Sequence, residues 1–568
     1  MQSRSRLASS LSACITADVT RSFAAALLSG SPDALEFLPN YLDTSERLAA
    51  AEVGAGIADR RALCDVLAAQ DVPRGPGALR SLERLRQPDA VAVVTGQQAG
   101  LFGGPLLTIY KLLSAVANAR VLEAELGRPV IPMFWLQNED HDFAEIAETW
   151  VPARSGGLIR LSVEPAPGLE RCSVAHHPLG ESVAGALFEL SALLGDGPLA
   201  SAVISPLQGA YSPCRSIAKA FAEWLSGICD PMGVIIVDSR DAGLARLALP
   251  IHLQALARAA EIAAGLHARE DRLASLGFVG QVHVREGAPL AFFHPDGPLG
   301  PRFRLAPCEG GYSLIGREGV ISLAELRSAA EGDPRVLSSS ALLRPLIQDL
   351  LLPTVAYVGG PAELAYFAQM GPLYAAFGRP MPLIVPRARF RLIEERTRRL
   401  LTDLALSPDL VSRPRDELLA LMASRDADGS VDTPTVPAPS ELRERLQERF
   451  RRVIIAEEAA IVTVDATLRG PLDKLIEATS ESAARFILKY ERAWRGRDQL
   501  TADRLDRLRL LLEPNGVPQE RVHGLPYYLS RYPDLLERLL ERIEPFSGAL
   551  IDVELGSPSP APTLEVAP

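Results

Sequence analysis

Apolar residues along this chain cluster in short blocks rather than alternating singly with polar ones. Five blocks are rich in β-branched or aromatic residues: Val91–Thr95 (VAVVT), Pro129–Leu136 (PVIPMFWL), Val234–Asp238 (VIIVD), Pro353–Val358 (PTVAYV) and Met381–Val385 (MPLIV). Runs of this kind predict strands buried on both faces. Helical periodicity separates most of them. After Pro105, a suitable first helical residue, Leu106, Ile109, Tyr110, Leu113 and Ala117 recur at helical spacing up to a stop at Gly127. A second helix is predicted over Glu363–Phe377. The fold class is therefore read as α/β, with a doubly wound parallel sheet. Right-handed crossovers then place the carboxyl ends of the strands along one edge.

The other blocks set the domain organisation. Residues 1–90 are alanine-rich and helical in pattern, with Asp43 or Thr44 as a cap, and are expected to form a helical layer on the core. The α/β rhythm spans 91–386 and lapses at about 150–211 and 241–340, where hairpin-like pieces mix with helices; both are read as insertions. Residues 387–545 lose strand character, with a linker-like break at 424–440. Within 441–512, Leu446, Phe450, Val453, Ala460, Val464, Leu468, Leu475 and Phe486 approximate a 3/4 spacing, and Gly470–Pro471 is taken to divide two helices. The second helix, ~60 Å long, needs a partner, hence an antiparallel or intersubunit coiled coil. A last amphipathic helix is predicted at 527–543, and 546–568 reads as a disordered tail.

At 568 residues the chain exceeds one hydrophobic core. A net charge of −11 argues against binding a phosphate backbone, so no nucleic-acid partner is expected. Six dispersed cysteines without a CxxC pair suit a reducing cytosol and offer no zinc site. No run reaches the ~18 apolar residues of a membrane span. The serine-broken N-terminus makes a poor signal peptide, so a cytoplasmic protein is expected.

Chemistry concentrates at the strand ends. The turn after the first strand, GQQAGLFGGP, carries Gly96, Gly100, Gly103 and Gly104 around Gln97 and Gln98. It either offers N–H groups to an anion at a helix N-terminus or merely packs tightly. It matches neither GxGxxG nor GxxxxGK[ST]. After the second strand come Glu139, Asp140, His141 and Asp142, a cluster suited to general-base work on an amine or to magnesium, with a helix entry capped by Asp142 as the bland reading. His141 and Asp140 are preferred. Asp238 ends the third strand, as a ribose or metal contact or a cap. Ser340, Arg344, Gln348 and Asp349 follow in SSSALLRPLIQD, with Arg344 expected to be held extended by Pro345 and to face a carboxylate, a phosphate or a structural acid. Tyr357, Gly359, Gly360 and Glu363 repeat the strand–glycine–helix arrangement. Lys111 looks too deep in its helix to reach a ligand. The other histidines, His283 among them, read as structural or exposed.

Taken together, VTGQQAGLFGGPLLTIYK, FWLQNEDHDFAEI, LRPLIQDLLLPTVAYVGGPAELAYFAQM, MPLIVPR and EPNGVPQERV resemble the BshC family, the cysteine-adding enzymes of bacillithiol biosynthesis. The resemblance runs from about residue 90 to 525. It implies a Rossmann-like core with connecting insertions and a coiled-coil domain that forms a homodimer. It also implies a ligase that joins cysteine to the amine of glucosaminyl-malate. ATP or ADP, and Mg, are implied as possible cofactors, and flavin, NAD and zinc are not expected. A second, nucleotide-occupied site near the coiled coil is implied too, with Asn515, Gly516, Gln519 and Arg521 as candidates. The HIGH and KMSKS signatures of cysteinyl-tRNA synthetases are missing. Two alternatives stand beside this reading: a non-catalytic dimeric scaffold that binds a ligand, and another ATP-dependent amide ligase or nucleotidyltransferase on the same core.

Overall fold

A computed structural model describes residues 21–57, 59–153, 156–427 and 439–558. The first 20 residues, most of the 424–440 linker and the end of the tail lie outside the described residues. The five apolar blocks form one parallel sheet of β1 (Val91–Gln97), β2 (Val130–Leu136), β3 (Ile235–Asp238), β4 (Thr354–Gly359) and β5 (Leu383–Pro386), in the order β5-β4-β1-β2-β3. Val91–Val94 and Val355–Val358 are fully buried, each Val side chain contributing roughly 1.5–3 kcal/mol. Thr95, a polar residue in the middle of this core, donates its hydroxyl to the Val358 carbonyl at 2.8 Å.

Register decides what meets at the sheet's edge. Gln97 pairs with Leu136, Leu136 with Asp238, and Gly359 with Pro386. The segments that follow β1, β2, β4 and β5 therefore emerge side by side. β1 and β4 are adjacent in the sheet but more than two hundred residues apart in sequence, so the strand order reverses between them. That is where an open α/β sheet leaves a crevice.

Helices α1 (Leu107–Leu126), α2 (Leu343–Leu351) and α3 (Pro361–Gln369) surround this edge. The first insertion folds as an antiparallel pair, Glu148–Pro152 with Leu158–Ser162, and two helices, Ser182–Leu194 and Pro198–Ala210. The second carries helices Ala242–Ala257 and Ala259–Ser275 and a five-stranded antiparallel sheet that includes Ala291–Phe293 and Phe303–Cys308. The N-terminal helix Thr44–Ala55 is capped by Asp43, which accepts from Ser45 and Glu46 N–H.

Several expectations change. Arg344 is not extended: it lies in the first turn of α2, where Pro345 gives up no intrahelical hydrogen bond and is tolerated. The helix expected over Glu363–Phe377 is interrupted at Met370, after which Gly371–Ala376 starts afresh with Pro372. The long helical region divides before Gly470–Pro471, not at it. α4 (Pro439–Val464) ends where Asp465 caps a short turn, and α5 (Arg469–Leu512) holds Pro471 in its first turn. Ion pairs Arg443–Glu491 and Arg469–Glu458 fix α4 and α5 as an antiparallel hairpin. The 527–543 helix is split into Leu525–Leu529 and Leu535–Arg542, with Pro533 between them. The tail expected from 546 instead contributes a strand, Leu550–Gly556, parallel to Arg389–Glu394. That strand alternates exposed and buried positions, so half of its side chains complete a core that local composition does not reveal.

Candidate functional site

A cavity of about 720 Å³ opens where β1, β2, β4 and β5 end. Gln97, Gln98, Asp140, Ser340, Arg344, Gly360, Glu363 and Arg521 line it, brought together from five separate stretches. Lys111, Gln137, Glu139, Glu145, Tyr366 and Arg387 line it too. The second insertion supplies a wall of Val282–Arg285, Ala288–Phe292, Arg302 and Arg304.

Its floor is a buried ion cluster. Lys111 Nζ lies 2.5 Å from Glu363 Oε2 and donates to Gly96 O at 2.7 Å and Gln97 Oε1 at 3.0 Å. Lys111 was expected to be too deep. Helical side chains lean toward the N-terminus, so a lysine one turn into α1 points back to the sheet edge. Burial lowers its pKa, against the pull of Glu363. Glu363 also accepts from Gly360 N–H at 2.8 Å and from the Tyr357 hydroxyl at 2.6 Å. Burial would raise the Glu363 pKa, but Lys111 and these donors hold it below the ordinary carboxylate value. Beside this cluster Arg344, 9% exposed, donates to Gln348 Oε1 at 3.2 Å and Tyr366 Oη at 3.1 Å. Among the described residues no carboxylate pairs with it within 4 Å. Arg387 is held by Glu520 through bonds of 2.8 and 2.6 Å, both side chains buried.

At the end of β2 two neighbouring carboxyls have opposite surroundings. Asp140 pairs with Arg302 and accepts from His141 N–H at 2.7 Å. Burial opposes its ionisation, but His141 and the Arg302 charge bring its pKa down to about 2. Asp140 is thus a fixed anion and a poor proton acceptor, contrary to expectation. His141 is 43% exposed and stands behind Asp140, its Nδ1 3.0 Å from Asp140 and 2.9 Å from Arg302, and is not part of the cavity wall. Asp142 caps the short turn Phe143–Glu145 through Ala144 N–H, the bland reading. Glu139 lines the cavity, bonded by Ser339 N–H at 3.2 Å and by the Ser339 side chain, and burial raises its pKa.

Four N–H groups of the glycine turn are spent within the fold. Gly100, Leu101, Gly103 and Gly104 N–H groups are donated to Gln98 O, Ile146 O, Gly100 O and Leu101 O, and Gly103 N–H also reaches Tyr211 Oη. A Cβ on Gly103, whose φ is +94°, would lie 2.0 Å from the Trp224 ring. The turn needs glycine for packing, and Leu106 N–H at the start of α1 is taken by His523 O. Asp238 lies off the cavity, accepting from Asn138 Nδ2 at 2.7 Å and Arg240 N at 3.0 Å. Gln348 orients Arg344 and bonds Asp349 at 2.9 Å. Tyr357 sits beneath Arg344 at 5.9 Å, and Gly359 O accepts from Arg387 N. Among the described residues no group of three or more His, Cys, Asp and Glu could hold a metal ion.

The proposed nucleotide residues separate. Asn515 and Gly516 form a left-handed turn, and Gln519 is buried on the Leu392 and Leu511 backbone. Of the four, Arg521 lines the main cavity. A second cavity of about 490 Å³ lies at the foot of α5, lined by Arg396, Arg399, Arg507, Tyr527, Arg531 and Tyr532 among others.

Arg387 was legible in principle, since it follows the apolar block MPLIV just as Glu139 follows PMFWL. Arg302 and Arg304 carry no such signal, because an inserted hairpin places them.

Fold and site define a Rossmann-like α/β protein with a charged crevice at the strand-order reversal and a C-terminal coiled-coil region. The family model "Bacillithiol biosynthesis BshC, N-terminal Rossmann-like domain" matches residues 12–388, and the model of the corresponding C-terminal coiled-coil domain matches 390–554. The chain belongs to the BshC family. It is 32% identical to a "Putative cysteine ligase BshC" of Koribacter versatilis, over 86% of this chain and 88% of that protein. A relative of the same description from Salinibacter ruber is 32% identical over 87% and 89%, and one from Heliobacterium modesticaldum 33% identical over 81% and 82%. No helix among the described residues is long and apolar enough to cross a membrane.

Proposed function

We propose that the chain is a ligase that joins cysteine to the amine of glucosaminyl-malate, and that the 720 Å³ cavity receives this amine acceptor. The observation that carries the reading is the charge of the cavity. In a chain of net charge −11, its wall holds seven Lys and Arg against four carboxylates. Among the described residues Arg285, Arg304, Arg344 and Arg521 have no carboxylate partner. Arg344 is buried and the other three are exposed to solvent, and guanidiniums without a carboxylate suit a dicarboxylate such as the malyl group. The carboxyls Glu139, Asp140 and Glu145 line the same space and suit the ammonium. Held between the two, the acceptor presents its nitrogen at the β2 end.

The test is purified protein with glucosaminyl-malate, cysteine and ATP, with product followed by mass spectrometry. Product is expected. Binding of glucosaminyl-malate without turnover under any activation supports the scaffold reading instead. The same mixture without ATP tells whether a nucleotide is consumed.

The nucleotide is assigned, in this reading, to the second cavity. There Arg531 lies 4.5 Å from the Tyr527 ring, its buried Nε without a partner among the described residues, and Arg507 is unpaired. Calorimetry should find ADP binding in the wild-type chain and at least about tenfold weaker binding in Arg531→Ala.

A further inference from the structure

The cavity's acidic side holds three carboxyls, and their surroundings divide the work among them. Asp140 is held ionised by its pair with Arg302. Glu145 lies on the exposed turn beside Gln98. Glu139 alone sits in the wall between two spaces, the main cavity and a void of about 20 Å³ behind it that Trp135, Arg240 and His252 also line. Its hydrogen bonds come from Ser339, backbone and side chain. Among the described residues it has no ion-pair partner within 4 Å.

The nearby cations are occupied elsewhere. Arg240 spends its Nη donors on the carbonyls of Leu337, Pro298 and Arg335 at 2.9–3.2 Å, and its buried Nε has no partner among the described residues. Arg302 is turned to Asp140 and His141 and stacks on Phe292 at 4.3 Å. Glu139 is thus within the field of two guanidiniums without being clamped by either, and among the described residues only Ser339 holds its carboxylate.

On the ligase reading above, we propose that Glu139 is the catalytic residue that takes the proton from the acceptor's ammonium group. An N–H bond of the ammonium breaks, its electron pair stays on nitrogen, and the proton passes to a Glu139 carboxylate oxygen. Asp140, one residue on, keeps its charge and holds the ammonium in place. The division follows from two neighbouring carboxyls whose environments push them apart. The charged and titratable groups facing Glu139 are Asp140 on its own segment, Arg240 after β3, His252 on the helix Ala242–Ala257 and Arg302 on the inserted sheet. Burial is the largest influence and moves the carboxyl upward; Arg240 and Arg302 pull it back. The wild-type rate should therefore rise with pH as Glu139 ionises.

The experiment compares wild type, Glu139→Gln and Glu145→Gln across pH, with product read by mass spectrometry and glucosaminyl-malate affinity read by calorimetry. Glu139→Gln should lower kcat near neutrality by about 10²–10⁴-fold, with affinity within about threefold. Its deficit should shrink as pH rises, because solution then supplies the free amine; a merely structural role would not give that recovery. An unimpaired Glu139→Gln, a deficit constant with pH, or the alkaline recovery appearing in Glu145→Gln instead overturns the assignment while leaving the ligase reading intact. No product from the wild-type chain overturns both.

Discussion

Glu139 and Asp140 show how far one residue's step along the chain can change chemistry. Both leave β2 at the same edge, yet one carboxyl is held ionised by Arg302 and the other is raised by burial. Arg344 illustrates the complementary case, a guanidinium oriented by neutral partners. Gln348 and Tyr366 fix its plane and leave its charge for a ligand. Arg344→Met should raise the KM for glucosaminyl-malate by about 10–100-fold with little change in kcat, the effect expected for losing a charge-assisted hydrogen bond. Arg344→Lys should recover only part of this, since an ammonium lacks the planar fork. An unchanged KM in Arg344→Met would remove the malyl carboxylate from this position.

At the scale of elements, the C-terminal region is part of the site rather than an appendage to it. Leu106 N–H is bonded to His523 O, and Pro105 bridges Gly524, so the segment after α5 closes the entry to α1. Two residues earlier Arg521 reaches the cavity, and Glu520 anchors Arg387 with both side chains 2–3% exposed. Glu520→Ala leaves a buried guanidinium without its carboxylate. It should destabilise the protein by about 3–5 kcal/mol, seen as a lower urea midpoint at unchanged m. Arg387→Met with Glu520→Leu should restore most of that loss. A midpoint unmoved by Glu520→Ala would show that the pair does not hold the two regions together.

For the whole molecule, the α4–α5 hairpin leaves apolar side chains uncovered. Phe450, Val453, Val464, Leu475 and Phe486 are 44–82% exposed, at positions of the 3/4 pattern. We propose a homodimer through this hairpin, in which a second chain covers them. Sedimentation should give twice the chain mass for wild type and a single chain for Val453→Glu with Phe486→Glu. A wild-type monomer at micromolar concentration would exclude the dimer.

The five strands, the helix after β1 and the long helical hairpin were legible in the sequence, because periodicity records which faces are buried. Their ends were also where charged clusters could be read, as at Glu139–Asp142. The sequence could not tell which side chains meet. Lys111 joins Glu363 across 252 positions, and Arg302 joins Asp140 from an insertion without periodic pattern. Nor could it tell that the glycine turn spends its own N–H groups, or that residues 550–556 pair with 389–394. Local patterning fixes an element's type and its buried face. Contact across the sheet edge, and the burial and charge that set each group's protonation, arise only when distant segments are packed together.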